Sequence, residues 1–243
     1  LRGPAEWWQP LTQKLQHHSV ISYRAGKRPA FQGDYELDDF STDPNLILYK
    51  PASSLFKYQP IETDYDFCLG GNISIYDNKG QYKSYLMTLL YDQLAQQHSR
   101  SVVPGKFLSN KPQGSDVLRN NKSVDIVESM SREDLNILYN RSKIFVSSTR
   151  AGQNDRCVIE ALSAGCPVLI HKDSCQYFPP YLLRNRFIRI FSNDNPLELL
   201  DSIKHLLSLN RKRVAEVSRS TIGVERAATP FIKILVKAKR GPK

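Results

Sequence analysis

The strongest constraint on the fold is an alternation that begins near residue 65 and runs to about residue 207. Short apolar runs take turns with amphipathic stretches of helical period. Segments 65–75, 101–108, 124–127, 144–147, 168–170 and 187–191 are rich in β-branched and aromatic residues and read as strands. Between them, 81–98 reads as a helix, with Leu86, Leu89, Leu90 and Leu94 expected on its inward face. Ser131 is an expected N-cap, with Asp134 three residues on, and Leu135, Leu138 and Tyr139 form the inward stripe beyond it. Segment 156–164 reads as a helix closed by Gly165 in the left-handed conformation. Segments 196–207, 211–220 and 224–237 complete the helical set. Strands that alternate with helices pair in parallel, and a sheet covered on both faces has strands apolar throughout. The expected fold class is therefore α/β, a Rossmann-like parallel sheet with helices on both faces. A ligand then belongs at the carboxyl ends of the strands, near a topological switch point.

Residues 1–60 have a different texture and are expected to form an amino-terminal arm, distinct from a main domain over 61–243. Segment 6–15 reads as a short helix containing Trp7 and Trp8. Segment 23–45 is polar, rich in Gly, Pro and Asp, and reads as a loop. Segment 46–49 is a short apolar run ended by Pro51.

Composition narrows the class. The chain has 243 residues, 40% hydrophobic and 24% charged, which excludes wholesale disorder, collagen and a disulfide-stapled miniprotein. No stretch approaches about 18 consecutive apolar residues, so the sequence offers no transmembrane helix. It opens on Leu1, as a processed or truncated chain would, without a signal-peptide pattern. Lysine and arginine total 34 against 24 acids, a net charge of +10. The clusters at Arg211-Lys212-Arg213 and Lys237 to Lys243 suit weak peripheral docking to anionic lipid headgroups. No basic-aromatic platform of the RNA-binding type is present, so no nucleic-acid partner is expected. Cys68, Cys157, Cys166 and Cys175 lack C-x-x-C spacing and sit in or beside apolar segments. They read as free buried thiols of a reducing compartment, which places the chain in the cytoplasm. The five histidines show no metal spacing, and no metal site is expected. His171 follows an expected strand near the cleft and reads as a satisfied histidine rather than a sugar contact.

Two segments carry candidate chemistry. The loop after the first strand contains Gly70, Gly71, Asn72, Lys79 and Gly80. Glycines let the backbone approach a ligand, and the helix start beyond them offers unpaired N–H groups to a phosphate, with Lys79 adding a charge. The second segment, 147–167, leads from a strand through a polar loop with Arg150, Gly152 and Gln153 into a helix bearing Arg156 and Glu160. One turn apart, Arg156 and Glu160 share a face and can pair. Glu160 is also placed to accept hydrogen bonds from vicinal ribose hydroxyls, and Arg150 and the loop N–H groups to hold phosphate oxygens.

Together these segments resemble the carboxyl-terminal, donor-binding domain of GT-B glycosyltransferases, most closely the retaining family-four enzymes related to glycogen synthase. The resemblance covers about residues 46–238. It rests on Lys79-Gly80, on the stretch 131–148, on Arg156-Cys-Val-Ile-Glu160-Ala-Leu-Ser-Ala-Gly165-Cys-Pro167 and on Val224-Glu-Arg-Ala-Ala. It implies transfer of a hexosyl group from a UDP-, GDP- or ADP-sugar, with no further cofactor. Glu160 matches the second glutamate of the family's pair, which holds the donor ribose. Lys79 matches the lysine that neutralises the diphosphate, and Gly71 the glycine where backbone meets the phosphates. By the same resemblance Gly70, Asn72, Arg150, Gln153 and Arg156 complete the donor site. The catalytic residue is not identified.

Two positions depart from the pattern. The family's first glutamate, eight residues before the second, falls on Gly152, and an arginine after the strand-one glycine falls on Asn72. The family's acceptor domain precedes the donor domain, and only about 60 residues precede it here. Segment 46–60 resembles the interdomain linker, and a separate acceptor-domain chain is a candidate partner. The alternative is a GT-B-like module that binds or scaffolds without transferring. A third reading, an exostosin-like transferase, draws on Ser142-Lys143 and on 164–167, but the spacing from Arg156 to Glu160 fits it less well.

Overall fold

In a computed structural model of the chain, the structure describes residues 21–24, 35–38, 53–70, 80–105, 115–149 and 155–222. The chain divides into two compact units, 1–51 with 222–243, and 52–221. In the first unit, β1 (Ile21–Arg24) and β2 (Tyr35–Asp38) pair in parallel, with Ile21 opposite Tyr35. This corrects the expectation of a loop over 23–45. Four-residue strands flanked by Gly, Pro and Asp give too short a pattern to rise above the turn signals around them.

The second unit carries the alternation. Its elements are β3 (Tyr65–Leu69), α1 (Gln81–Ala95), β4 (Ser101–Pro104), α2 (Ser115–Arg119), β5 (Val124–Val127) and α3 (Arg132–Arg141). There follow β6 (Ser142–Ser147), α4 (Asp155–Ser163), β7 (Val168–His171), a 3-10 turn (Lys172–Tyr177), α5 (Pro180–Leu183), β8 (Ile188–Phe191), α6 (Pro196–Leu207) and α7 (Arg211–Ile222). The six strands are all parallel, in the order β5-β4-β3-β6-β7-β8. The chain starts in the middle, builds outward to β5, then returns to lay β6 on the other side of β3. That reversal puts the switch point between β3 and β6.

Alternate strand residues face opposite ways. Phe67, Leu69, Ile144 and Val146 pack with Tyr85, Met87 and Tyr91 of α1 and with Leu199, Ile203 and Leu206 of α6. The Tyr91 ring meets Phe67 edge-on at 5.5 Å. The inward face of α1 is therefore the one carrying Tyr85, Met87 and Tyr91, whereas Leu86 and Leu89, expected inside, are 39% and 44% exposed. Both sets have helical spacing, and the tyrosines bury the larger surface. On the other face Phe145 meets Tyr139 of α3 edge-on at 5.6 Å.

The sequence missed α2, the 3-10 turn and α5, each too short for periodicity to show. The α3 start is as expected, since Ser131 and Asp134 form a full capping box. Gly165 has φ 81° and follows the last turn of α4, where the Cys166 N–H donates to the Ala161 carbonyl at 2.9 Å.

Residues 53–60 are fastened along α3. The Lys57 and Gln59 N–H groups donate to Asn136 Oδ1 at 3.0 Å and Asn140 Oδ1 at 2.7 Å. Phe56, fully buried, leans on Tyr139 with ring centres 6.0 Å apart. Arg211 caps two helices at once, donating to the carbonyls of Tyr139, Asn140 and Gly165 at 2.9, 2.6 and 3.1 Å. It is thus turned inward, away from the surface cluster in which the sequence placed it. The expected helices 6–15 and 224–237, the apolar run 46–49 and the basic tail lie outside the described residues. No helix among the described residues is long and apolar enough to cross a membrane.

Candidate functional site

The amino ends of the central strands are electrically closed. Arg100 pairs with Asp125 at 2.7 Å, Lys143 with Asp66 at 2.9 Å, and Arg141 with Asp64. The carboxyl ends carry the described candidate residues, Gly70 at the end of β3 and Arg156 and Glu160 on the helix after β6. Gly70 ends β3, its N–H donating to the Val146 carbonyl at 3.1 Å. A Cβ there would lie 2.3 Å from the Phe145 ring. Gly80 precedes α1 with φ 68°, and a Cβ on it would stand 1.9 Å from the Ser148 carbonyl oxygen. Four residues on, Ser84 donates to the Ser148 hydroxyl at 2.9 Å. Both ends of the glycine-containing loop are thereby fixed at the carboxyl ends of β3 and β6. The N-cap of α1 is Gly80, which has no side chain to cap with, and the helix start presents the positive end of its dipole at this edge.

Helix α4 follows β6 from this edge. Arg156, near its start, is exposed, whereas Glu160 is 4% exposed. Glu160 Oε1 accepts from the Arg132 guanidinium at 3.1 Å. Arg132 is the first residue of α3, which also begins at the carboxyl edge because it leads into the parallel strand β6. Its guanidinium stands 5.2 Å above the Phe56 ring. Burial pushes the Glu160 carboxyl above its ordinary range, and the positive charges of Arg132 and Arg156 draw it partway back. The sequence paired Glu160 with Arg156. The ion pair it makes is with Arg132, across two helices, a contact that spacing along one helix cannot reveal.

Beside this lies a second cluster. Lys83, in the first turn of α1, pairs with Asp173 at 2.7 Å, and Lys172 pairs with Asp194 at 2.7 Å. His171 ends β7, is 4% exposed, and accepts the Asp173 N–H at 3.2 Å. Its ring meets Phe191 edge-on at 5.0 Å. Burial, then the charge of Lys83, holds its pKa below the usual value. It is a satisfied, neutral histidine.

Of the candidate residues, the structure describes Gly70, Arg156 and Glu160. It brings Gly70 and the start of the helix carrying Glu160 to neighbouring strand ends, Gly70 lying against the Phe145 ring, which in turn meets Tyr139. Gly71, Asn72, Lys79, Arg150 and Gln153, with Gly152, lie outside the described residues. Among the described residues no group of three or more His, Cys, Asp and Glu is placed to hold a metal ion. An open depression of about 500 Å³ lies elsewhere, lined by Arg189, Glu198, Asp201 and His205 among others, and no candidate residue borders it.

No family model and no curated protein sequence matches the chain. Solved structures do. TarM superposes with a TM-score of 0.57 at 16% identity, over 79% of this chain and 38% of its own. WaaG, a glycosyltransferase of lipopolysaccharide biosynthesis, gives 0.56 at 16% identity, over 77% of this chain and 54% of its own. The carboxyl-terminal domain of the group 1 glycosyltransferase LpcC from Francisella tularensis gives 0.51 at 14% identity, over 75% of this chain and 98% of that domain. This chain thus spans about two-fifths to a half of the first two and matches nearly all of the isolated domain. At these identities the likeness is one of fold: a six-stranded parallel α/β, Rossmann-like sheet like that of GT-B glycosyltransferases.

Proposed function

We propose that the chain is the donor-binding half of a glycosyltransferase that transfers a hexosyl group from a nucleoside-diphosphate sugar, without a metal ion. The observation that carries this reading is that one switch point holds both a helix start behind a glycine at the end of β3 and a helix bearing a buried carboxylate. The α1 N–H groups, the backbone at Gly70 and Gly71, Asn72, Lys79 and Arg150 would hold the diphosphate. Glu160 would accept the ribose hydroxyls, with Gln153 and Arg156 beside it. Transfer gains from a positive field that stabilises the departing diphosphate. Two structural neighbours, TarM from S. aureus and the pneumococcal O-GlcNAc transferase GtfA, were solved with UDP, which supports a nucleotide of this class here. Four cysteines that form no disulfide suit a cytoplasmic setting.

A thermal-shift panel of UDP, GDP and ADP and their hexosyl derivatives tests the reading. At 100 times its dissociation constant a ligand should stabilise the fold by about 2.7 kcal/mol, in EDTA as without it. No shift with any of the panel would overturn it. Gly152, which puts no carboxylate where the family's first glutamate falls, favours a second reading in which the chain binds the nucleotide without transferring the sugar. Release of nucleoside diphosphate in the presence of acceptor separates the two.

A further inference from the structure

We infer that Arg132 is a positioning residue for the nucleotide site, its guanidinium seated on Phe56 and holding the buried Glu160 carboxylate charged and oriented for the ribose hydroxyls of a nucleoside diphosphate. This rests on the assignment of Glu160 to the ribose. A carboxylate offers about four lone-pair sites. In this chain Arg132 occupies Oε1 at 3.1 Å, and Oε2 accepts from none of the described residues. The engaged oxygen fixes the carboxylate, and Oε2 is the oxygen assigned to the diol.

Arg132 is itself held. Its side chain is 57% exposed against 5% for Glu160, so the pair is buried at the carboxylate end only. Stacking over Phe56 restricts the guanidinium, and an aromatic face favours the cation. Phe56 is fixed in turn, because its neighbours Lys57 and Gln59 are hydrogen-bonded to Asn136 and Asn140 in α3. A line of contacts thus runs from residues 53–60 through one ring and one guanidinium to the carboxylate.

The energetic need for Arg132 follows from burial. A carboxylate this far from water gives up its charge unless a cation faces it. Among the described residues, the ionisable groups that act on or respond to Glu160 are Arg132 and Tyr139 of α3 and Arg156 of its own helix. The strands β6 and β7, which also pack on α4, bring no charge that acts on it. Arg156 is one turn away and exposed, so Arg132 carries most of the favourable field. A neutral Glu160 presents a hydroxyl where the diol needs an acceptor, so nucleotide affinity should follow its ionisation.

Calorimetric titration of UDP, GDP and ADP between about pH 5 and pH 8 tests this on the wild type, Arg132→Gln and Arg132→Lys. The nucleotide's terminal phosphate titrates near pH 6, equally for all three proteins, so differences between them report residue 132. In Arg132→Gln the pH at which affinity is half lost should rise by at least about one unit, because the carboxylate has lost its nearest cation. Arg132→Lys should stay within about half a unit of wild type. Arg132→Met, which also removes the charge, is read in place of Arg132→Gln should thermal unfolding find that variant unfolded. Identical midpoints for wild type and the charge-removing variant would overturn the inference and leave the donor-site reading standing. Failure of the wild type to bind any of the three nucleotides would overturn that reading first.

Discussion

Glu160 is a costly residue for the empty protein. Because burial raises its folded pKa, the folded state holds the proton more tightly than the unfolded chain does. Its contribution is thus most favourable below the ordinary value of 4.5 and is lost as the pH climbs through the raised one. Glu160→Gln should therefore leave the melting temperature at neutral pH unchanged or raised, by up to about 4 °C. It should also steepen the loss of stability on the acid side, because Glu160, whose contribution grows as the pH falls, no longer opposes that loss. Arg132 is left solvated rather than stranded, since its side chain is more than half exposed. Nucleotide affinity in the same variant should fall by about tenfold to a hundredfold, as expected for hydrogen bonds to a charged acceptor worth about 1.5–3 kcal/mol. A variant that melts lower and binds equally well would mark Glu160 as a structural acid. Gly80 makes the complementary case, since its φ of 68° and the Ser148 carbonyl both exclude a side chain. Gly80→Ala should cost about 1–3 kcal/mol in denaturant unfolding and displace the start of α1.

At the scale of elements, long and regular segments were legible, and their rotation was not. The extents of α6, β5 and α3 follow from capping signals and periodicity, as Pro196 at the start of α6 and the Ser131–Asp134 box illustrate. In α1 the period identified a helix but chose the leucine face, because Leu86 and Leu89 are spaced as regularly as Tyr85, Thr88 and Tyr91. Only the partner ring, Phe67, decides which face turns in. The cross-element role of Arg211 was likewise hidden, since its three carbonyl partners lie 46 to 72 residues away. Arg211→Ala should destabilise by about 2–4 kcal/mol in denaturant unfolding, with Arg211→Lys recovering part of it, since one ammonium cannot reach all three carbonyls. Sheet packing also sets the thiols. Cys68 and Cys166 are fully buried and burial pushes both up, Cys166 to about 12. In native protein two thiols, Cys157 and Cys175, should react with a disulfide reagent, and the other two only as fast as the chain unfolds.

For the whole molecule, strand order decides where chemistry can happen. The sequence implied a parallel sheet and a switch point, because strand and helix alternate. It could not say that β6 would lie against β3, yet that pairing is what brings the glycine loop and α4 to one edge. Glu160 was singled out by its motif, whereas its ion-pair partner was not, because Arg132 lies 28 residues away on another helix. The central claim is that a nucleoside diphosphate spans this edge, from the start of α1 to the Glu160 carboxylate. A crystal structure of the complex with the nucleoside diphosphate that gives the largest thermal shift tests it most directly. We predict the ribose hydroxyls within about 3.2 Å of the Glu160 carboxylate and the phosphates against the first N–H groups of α1. A nucleotide seated anywhere else, such as the open depression beside Arg189 and His205, would contradict it.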